Sequence, residues 1–278
     1  MTRFLLCVAV VAAALQGGCA ATRTLITGDN KVNELMRKSG AWKQMAEHGP
    51  MVQLGIAQEN AQARAQRNPR ALSDAELARL NAAVAAAYNA DRLRNEFRVR
   101  LPAQLAAADR EKALAWLSSD LGRRIASLEE KSGEREGLEE RQRATARLMA
   151  SLPLPRIGRF KRLTTATRCS FVFAEAQIQT SSAIATAIAR LRPARDQPSP
   201  ESLKRELEAQ KDRIVATFAQ LCTAEAAYTY RALSDAEVDR YIEFTESPEG
   251  RRYNAAMFAV LNMVLAKAAR DIASELGN

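Results

Sequence analysis

Apolar residues recur at i, i+3 and i+4 along most of this chain, and the apolar/polar alternation of strands is nearly absent. The pattern predicts an all-α fold of about eight to ten helices. A first helical pair covers Lys31 to Glu47 and Met51 to Gln66, turned where Gly49-Pro50 follows His48. Ser73 then caps a helix, with Glu76 three residues later as its capping-box partner. That helix is expected to reach Arg100 and to stop near Pro102. Shorter helices follow over Asp109 to Leu117 and, capped by Ser119, as far as Lys131. Glu134 to Ser151 reads as a charged helix, and Pro153-Leu154-Pro155 with Gly158 reads as a linker. Thr164 to Leu191 is more apolar, with Phe171, Ile178, Ile184 and Ile188 expected on inward faces. A loop is expected over Pro193 to Pro200, then a long helix over Glu201 to Arg231. Ser234 and Glu237 repeat the capping box, a short helix ends at Phe244, and Ser247-Pro248 opens the last helix, which runs on to Leu276.

Two of these stretches echo each other 128 residues apart. Trp116 to Ile125 reads WLSSDLGRRI, and Phe244 to Tyr253 reads FTESPEGRRY. Each has an aromatic residue three places before a Ser, a Gly three places after it, and then two Arg. At the same offset Leu105 to Glu111 falls on Leu233 to Asp239, and Leu35 falls on Leu163. The echo predicts a tandem duplication of an antiparallel helical unit. Its parts are a tether over 20–30, repeat 1 over 31–152, a linker over 153–158 and repeat 2 over 159–278. The copies are unequal, since only the second has Pro248 and the pair Cys169 and Cys222.

The Ser-x-x-Gly element has a direct physical reading. Ser247 accepts from the Gly250 amide, Pro248 takes the first helical position where no amide is needed, and Glu249 faces the positive helix end. Gly250 leaves room for another helix to approach. Ser119, Asp120 and Gly122 do the same in the first copy, so the element is a capped helix corner made twice. The rival reading is an anion site, formed from helix-terminal amides with Arg123 or Arg251.

Composition narrows the setting. The net charge is +9, but basic residues such as Arg92, Arg98, Arg141 and Arg147 are spread among acids, as on a solvated helix surface. A basic face for an anionic envelope polymer or lipid is the other reading. Met1 to Ala20 has Arg3, an apolar run from Phe4 to Leu15 and small residues before Cys19, which reads as a bacterial export leader over 1–19. Leu15-Gln16-Gly17-Gly18-Cys19 resembles a lipoprotein signal box, in which Cys19 becomes the lipidated N-terminus; the departure is Gln16 in the usual Leu position. Cleavage after Ala20 or Ala21 with soluble release is the alternative. Ala20 behind a lipidated Cys19 implies outer-membrane sorting, by the same resemblance. Nucleic acid is not an expected partner of an exported chain.

Outside the leader only Cys169 and Cys222 remain. An oxidising compartment favours a bridge between them, and two buried reduced thiols are the equal alternative. His48 is the one histidine, so a histidine metal site and a histidine acid–base pair are excluded. No Cys-x-x-Cys, phosphate loop or glycine-rich dinucleotide turn is present, and no cofactor is implied. Glu129/Glu130 and Glu139/Glu140 read as exposed helix charges.

Phe244-x-x-Ser247-Pro248-x-Gly250-Arg251 at the start of a C-terminal helix, together with Ser39-Gly40 upstream and the export leader, resembles the bacterial exported helical family catalogued as domain of unknown function 2059. The likeness is centred on 206–276. The first copy departs from it with Trp116 and Asp120, and the second lacks the upstream Ser-Gly. The resemblance implies an all-helical exported protein and brings no activity. The expectation is therefore a non-enzymatic envelope protein in the periplasm, held to the outer membrane by lipid and binding a partner protein or an anionic polymer. The alternative is a cell-wall or lipid-processing hydrolase using paired carboxylates.

Overall fold

The computed structural model describes residues 30–69, 71–132, 138–191, 205–206 and 208–276, with the backbone alone for 138–139. Cys19 and the leader lie outside these residues. Twelve α-helices and no strand are present among the described residues: α1 (Asn30–Lys38), α2 (Ala41–Ala65), α3 (Asp74–Ala87), α4 (Ala90–Gln104), α5 (Ala107–Leu117), α6 (Asp120–Ser132), α7 (Leu138–Ser151), α8 (Leu154–Ala166), α9 (Cys169–Arg190), α10 (Lys211–Thr229), α11 (Asp235–Glu246) and α12 (Pro248–Glu275). The all-α expectation holds.

Both capping boxes form as expected. The Ser73 and Ser234 hydroxyls accept from the amides of Glu76 and Glu237, and each Glu side chain accepts from its serine amide at 2.8 Å. Other boundaries moved. No helix ends at His48; α2 continues through Pro50 to Ala65. Ala41, Met45, Gly49, Ile56 and Asn60 form one buried stripe across that point, while Pro50 is exposed, so the carbonyl left without its amide partner meets water. The turn sits instead at Ser39-Gly40, where Gly40 adopts φ 73°. The helix expected from Ser73 to Arg100 is two helices, because the Asn89 side chain accepts from the amides of Asp91 and Arg92 and starts a new one. α4 then passes through Pro102 rather than stopping there.

The expected linker at 153–158 is the start of α8. Pro153 is its cap and Pro155 lies in its first turn, where a missing amide costs nothing. The helix expected over Thr164 to Leu191 is broken at Arg168, whose φ is 54°. Arg168 thus lies 128 residues from Gly40 in the same left-handed conformation, at a strain of about 1 kcal/mol for a residue with a Cβ. Phe171 does not face inward. It is 48% exposed beside the Arg168 guanidinium, whereas Ile178 and Ile184 are buried and Ile188 packs on the core.

Buried apolar residues form two clusters, and the chain crosses between them four times, because Ile184 and Ala187 of α9 belong to the first while α8 and α10 belong to the second. The first holds residues of α1–α5 such as Leu35, Met45, Phe97 and Leu101, and it also holds Tyr253, Val260, Val264 and Ile272 of α12. The second holds Phe160 and Leu163 of α8, Ala227 of α10 and Val238 and Ile242 of α11, and it also holds Ile125 of α6. The last helix of the chain lies against α3, α4, α5 and α9, and α6 lies against α10. Each half therefore sends the helix after its corner into the other half's core. Two of the crossings, α5 to α6 and α11 to α12, are the Ser-x-x-Gly corners.

Candidate functional site between the two corners

At the first corner the Ser119 hydroxyl donates to the Trp116 carbonyl at 2.6 Å and accepts from the Gly122 amide at 3.0 Å. At the second, Ser247 donates to the Phe244 carbonyl at 2.8 Å and accepts from the Gly250 amide at 3.0 Å. The glycines are required by the corner itself rather than by a neighbouring helix. A Cβ at Gly122 would lie 2.2 Å from the Trp116 carbonyl oxygen, and one at Gly250 would lie 1.8 Å from that of Phe244. The chain thus doubles back on the end of the preceding helix, with Pro248 at the first helical position.

The two corners meet. The rings of Trp116 and Phe244, equivalent positions in the two stretches, stack with centroids 4.0 Å apart and planes 8° from parallel. Tyr241 also stacks on Trp116, at 5.2 Å, Tyr230 meets Tyr241 edge-on at 5.7 Å, and Tyr253 tilts against Phe244 at 6.3 Å. Five aromatic rings therefore run in a row across the boundary, and Trp116 packs against both clusters. In a chain with 5% aromatic residues, this is where they were concentrated. Such pairs contribute about 0.5–1.5 kcal/mol each beyond their burial.

Ion pairs on either side of the row are reciprocal. Arg252 forks onto Asp109 with both contacts at 2.8 Å, and Arg124 pairs with Glu237. Arg124 and Arg252 are 128 residues apart, as are Asp109 and Glu237. Residue i of the first stretch meets j of the second, and j of the first meets i of the second, which is the contact pattern of a two-fold interface. Within each half, Lys31 pairs with Glu111 and Arg159 with Asp239, again at the same offset.

The row ends in a half-buried acid. Glu129 accepts from the Tyr230 hydroxyl at 2.6 Å and from Tyr241 at 3.3 Å, so it is not the exposed charge expected from sequence; Glu130 is exposed. Burial raises the Glu129 carboxyl above the usual range, and the tyrosine hydrogen bonds only partly offset this. Burial likewise pushes Tyr230 and Tyr241 well above ordinary phenols. In the first half the Nε2 of His48 is shut off from solvent without a partner, and burial lowers the ring to about 4. His48 therefore stays neutral and sits inside a helix, without the terminal role its neighbours Gly49 and Pro50 suggested.

A groove of about 620 Å³ opens where the corners face each other. Trp116, Ser119 and Phe244 line it with Ser247, and Asp120, Arg240, Glu243 and Glu249 add charge. The corner amides are occupied by the serine hydroxyls, and acids Asp120 and Glu249 stand in the first helical turns. Arg123 is held by Asp120 and the Ser118 carbonyl. The groove is therefore not an anion cradle. Arg251 points instead to a separate cleft of about 450 Å³ with Lys161 and Arg162.

Cys169 and Cys222 are joined by a disulfide with Cα atoms 6.3 Å apart, linking α9 to α10. Six of the participants, Tyr230, Tyr241, Tyr253, Arg124, Arg252 and Asp109, were not singled out from sequence. The 128-residue offset does mark Asp109 with Glu237 and Arg124 with Arg252, since both positions keep their charge; nothing local marks the tyrosines. No protein-family model, curated protein or solved structure matches the chain. Among the described residues no helix is long and apolar enough to cross a membrane.

Proposed function

We infer that this protein is a non-catalytic binding module of the bacterial envelope, which takes a partner protein in the groove between its two corners. The observation behind the reading is the composition of that groove. Two stacked aromatic rings form its centre, and Asp120, Glu243, Glu249 and Arg240 form a charged margin. An aromatic centre with a polar rim is the anatomy of a protein interface. The export leader over 1–19 would place the groove in the periplasm, and acylation of Cys19 would hold it at the outer membrane. The reading takes the two halves as copies of one unit that exchange their last helices, because the left-handed residues, the corners and the ion pairs all recur at one offset. The chemistry available agrees with binding. The groove's acids are open to solvent, and the Glu129 carboxyl is held by tyrosines away from it.

Photo-crosslinking in cells tests the reading. A crosslinking residue at Asp120 or Glu243 is expected to give one discrete protein adduct that Gln62, exposed on α2, does not give. Reversing the margin with Glu243→Lys should remove the adduct made from position 120. Equal adducts from position 62, or none from either groove position, would overturn it.

A further inference from the structure

The two corners differ in one way that frees a charge. At the first, Arg123 is tied down by Asp120, three residues before it, and by the Ser118 carbonyl. At the second, Pro248 stands where Asp120 would be, so Arg251 has no acid in that place. The acid that lines the same cleft is Glu246, and Arg162 already grips both oxygens of Glu246 at 2.8 and 2.5 Å. Among the described residues neither Lys161 nor Arg251 forms an ion pair. Both line the open cleft of about 450 Å³ with Arg162, Thr165 and Gly158. A Cβ at Gly158 would meet nothing within 4 Å, so the α8 wall of the cleft is open. The lining of the cleft therefore holds three cations and one acid; Arg162 grips that acid, Arg251 acts on it only through its charge, and Arg162 also feels Asp239 and Glu243 outside the lining.

We propose that this cleft is a binding site for a phosphate group. A carboxylate would be saturated by a single arginine fork, whereas a phosphate presents several oxygens to donors arriving from different sides, which is what α8 and α12 supply here. The phosphate can belong to an anionic lipid headgroup at a membrane surface or to a small soluble phosphate. The site needs neither the groove nor its partner. The excess of two positive charges is local, so it is distinct from the +9 spread over the whole chain.

The chain from Ala20 onward, which retains every described residue, is the material for the test. Co-sedimentation is measured with vesicles of phosphatidylcholine containing phosphatidylglycerol, and calorimetry with inorganic pyrophosphate. Lys161→Glu and Arg251→Glu are each expected to weaken vesicle binding about tenfold, while Arg123→Glu, the same charge change at the other corner, leaves it within about twofold. Arg251→Lys should restore most of the binding. If pyrophosphate binds with the same dependence on Lys161 and Arg251, the site takes phosphate as such; if only vesicles bind, it takes a headgroup held in a membrane. Failure of both probes overturns the proposal, and so does an equal loss in Arg123→Glu, which would mean that total charge alone is read. Should a Glu variant fail to fold by thermal melting, Lys161→Gln and Arg251→Gln replace it with the same two outcomes. Loss of the position-120 crosslink with intact phosphate binding would count against the groove and leave this site standing.

Discussion

Two pairs of helices, α2 with α4 and α9 with α10, are held together by different chemistry. In the second half a disulfide joins Cys169 at the start of α9 to Cys222 in α10. The positions 128 residues earlier are Ala41 at the start of α2 and Arg94 in α4. There the Arg94 Nε donates to the Trp42 carbonyl at 3.0 Å, and its guanidinium lies 4.7 Å from the centre of the Trp42 ring, with Arg37 also against that ring at 4.4 Å. The backbone slot is set by the left-handed residue just before it, Gly40 or Arg168, and the slot accepts either fastening. The cores explain which half takes the stronger one. The first cluster gains seven buried positions along the 28-residue α12, whereas α6 is 13 residues long and buries only Gly122 and Ile125. The half that receives the shorter helix is the half with the covalent link.

The largest test of this comparison is to cut the chain between Leu152 and Pro153. Residues 20–152 alone lack α12, which forfeits on the order of 10 kcal/mol of apolar burial. That is comparable to the whole net stability of a typical domain. The fragment should show no cooperative thermal transition, and adding 153–278 should restore one in a 1:1 complex by size-exclusion chromatography. Cooperative melting of the first fragment by itself would show that its core does not depend on the exchanged helix.

The corners come next. Gly250→Ala places a methyl 1.8 Å from a backbone carbonyl and Gly122→Ala places one 2.2 Å from its counterpart. Neither carbonyl can move without opening the corner, so both should cost about 3–5 kcal/mol in urea denaturation. Gly250→Ala should be the worse, because its corner delivers the longer helix. A loss under about 1 kcal/mol in either, the range of a helix-propensity effect, would mean that the corner relaxes freely.

How far these features could be read beforehand divides along a physical line. The caps are local, and the sequence pattern placed Ser73, Ser234, Ser119 and Ser247 correctly, including the bond from the Gly250 amide to Ser247. Prolines were misread because propensity says stop while burial decides. Pro50 lies between Met45 and Ile56, both buried on one stripe, and Pro153 and Pro155 begin a helix rather than link two units. Phe171 was assigned to the core by its apolar character, but it precedes the buried stripe of Val172, Ala174 and Ile178. The exchange of helices was not legible, since periodicity states that a face will be covered and does not state by what. The meeting of Trp116 with Phe244 follows from the exchange and was hidden with it.

The two fastenings can be ranked directly. Closing a loop with a sequence separation of 53 should stabilise by about 4 kcal/mol, so Cys169→Ala/Cys222→Ala should lower the urea midpoint clearly. Arg94→Ala removes the bond to the Trp42 carbonyl, one cation–π contact and an exposed pair with Asp91, together worth about 1–2 kcal/mol. Equal losses would show that the smaller core does not lean on the disulfide.

The smallest effect is the most specific. Arg124–Glu237 and Arg252–Asp109 are reciprocal pairs whose arginines are about half exposed, at 48% and 52% of their side-chain surface. Solvent screening limits each to about 0.5 kcal/mol. The acids are better covered, at 19% and 14%, so their removal alone says little about the pair, and double-mutant cycles are needed. If the halves meet as a two-fold interface does, the coupling of Arg124 with Glu237 should match that of Arg252 with Asp109 within error. The crossed pairs Arg124 with Asp109 and Arg252 with Glu237 should show none. The charge exchange Arg124→Glu/Glu237→Arg should then be tolerated, while Arg124→Glu alone places two acids together and costs more than Arg124→Ala. Glu237 is also the capping-box partner of Ser234, which Asp109 is not of any serine, so a coupling that exceeds its twin would trace to that cap and not to the interface.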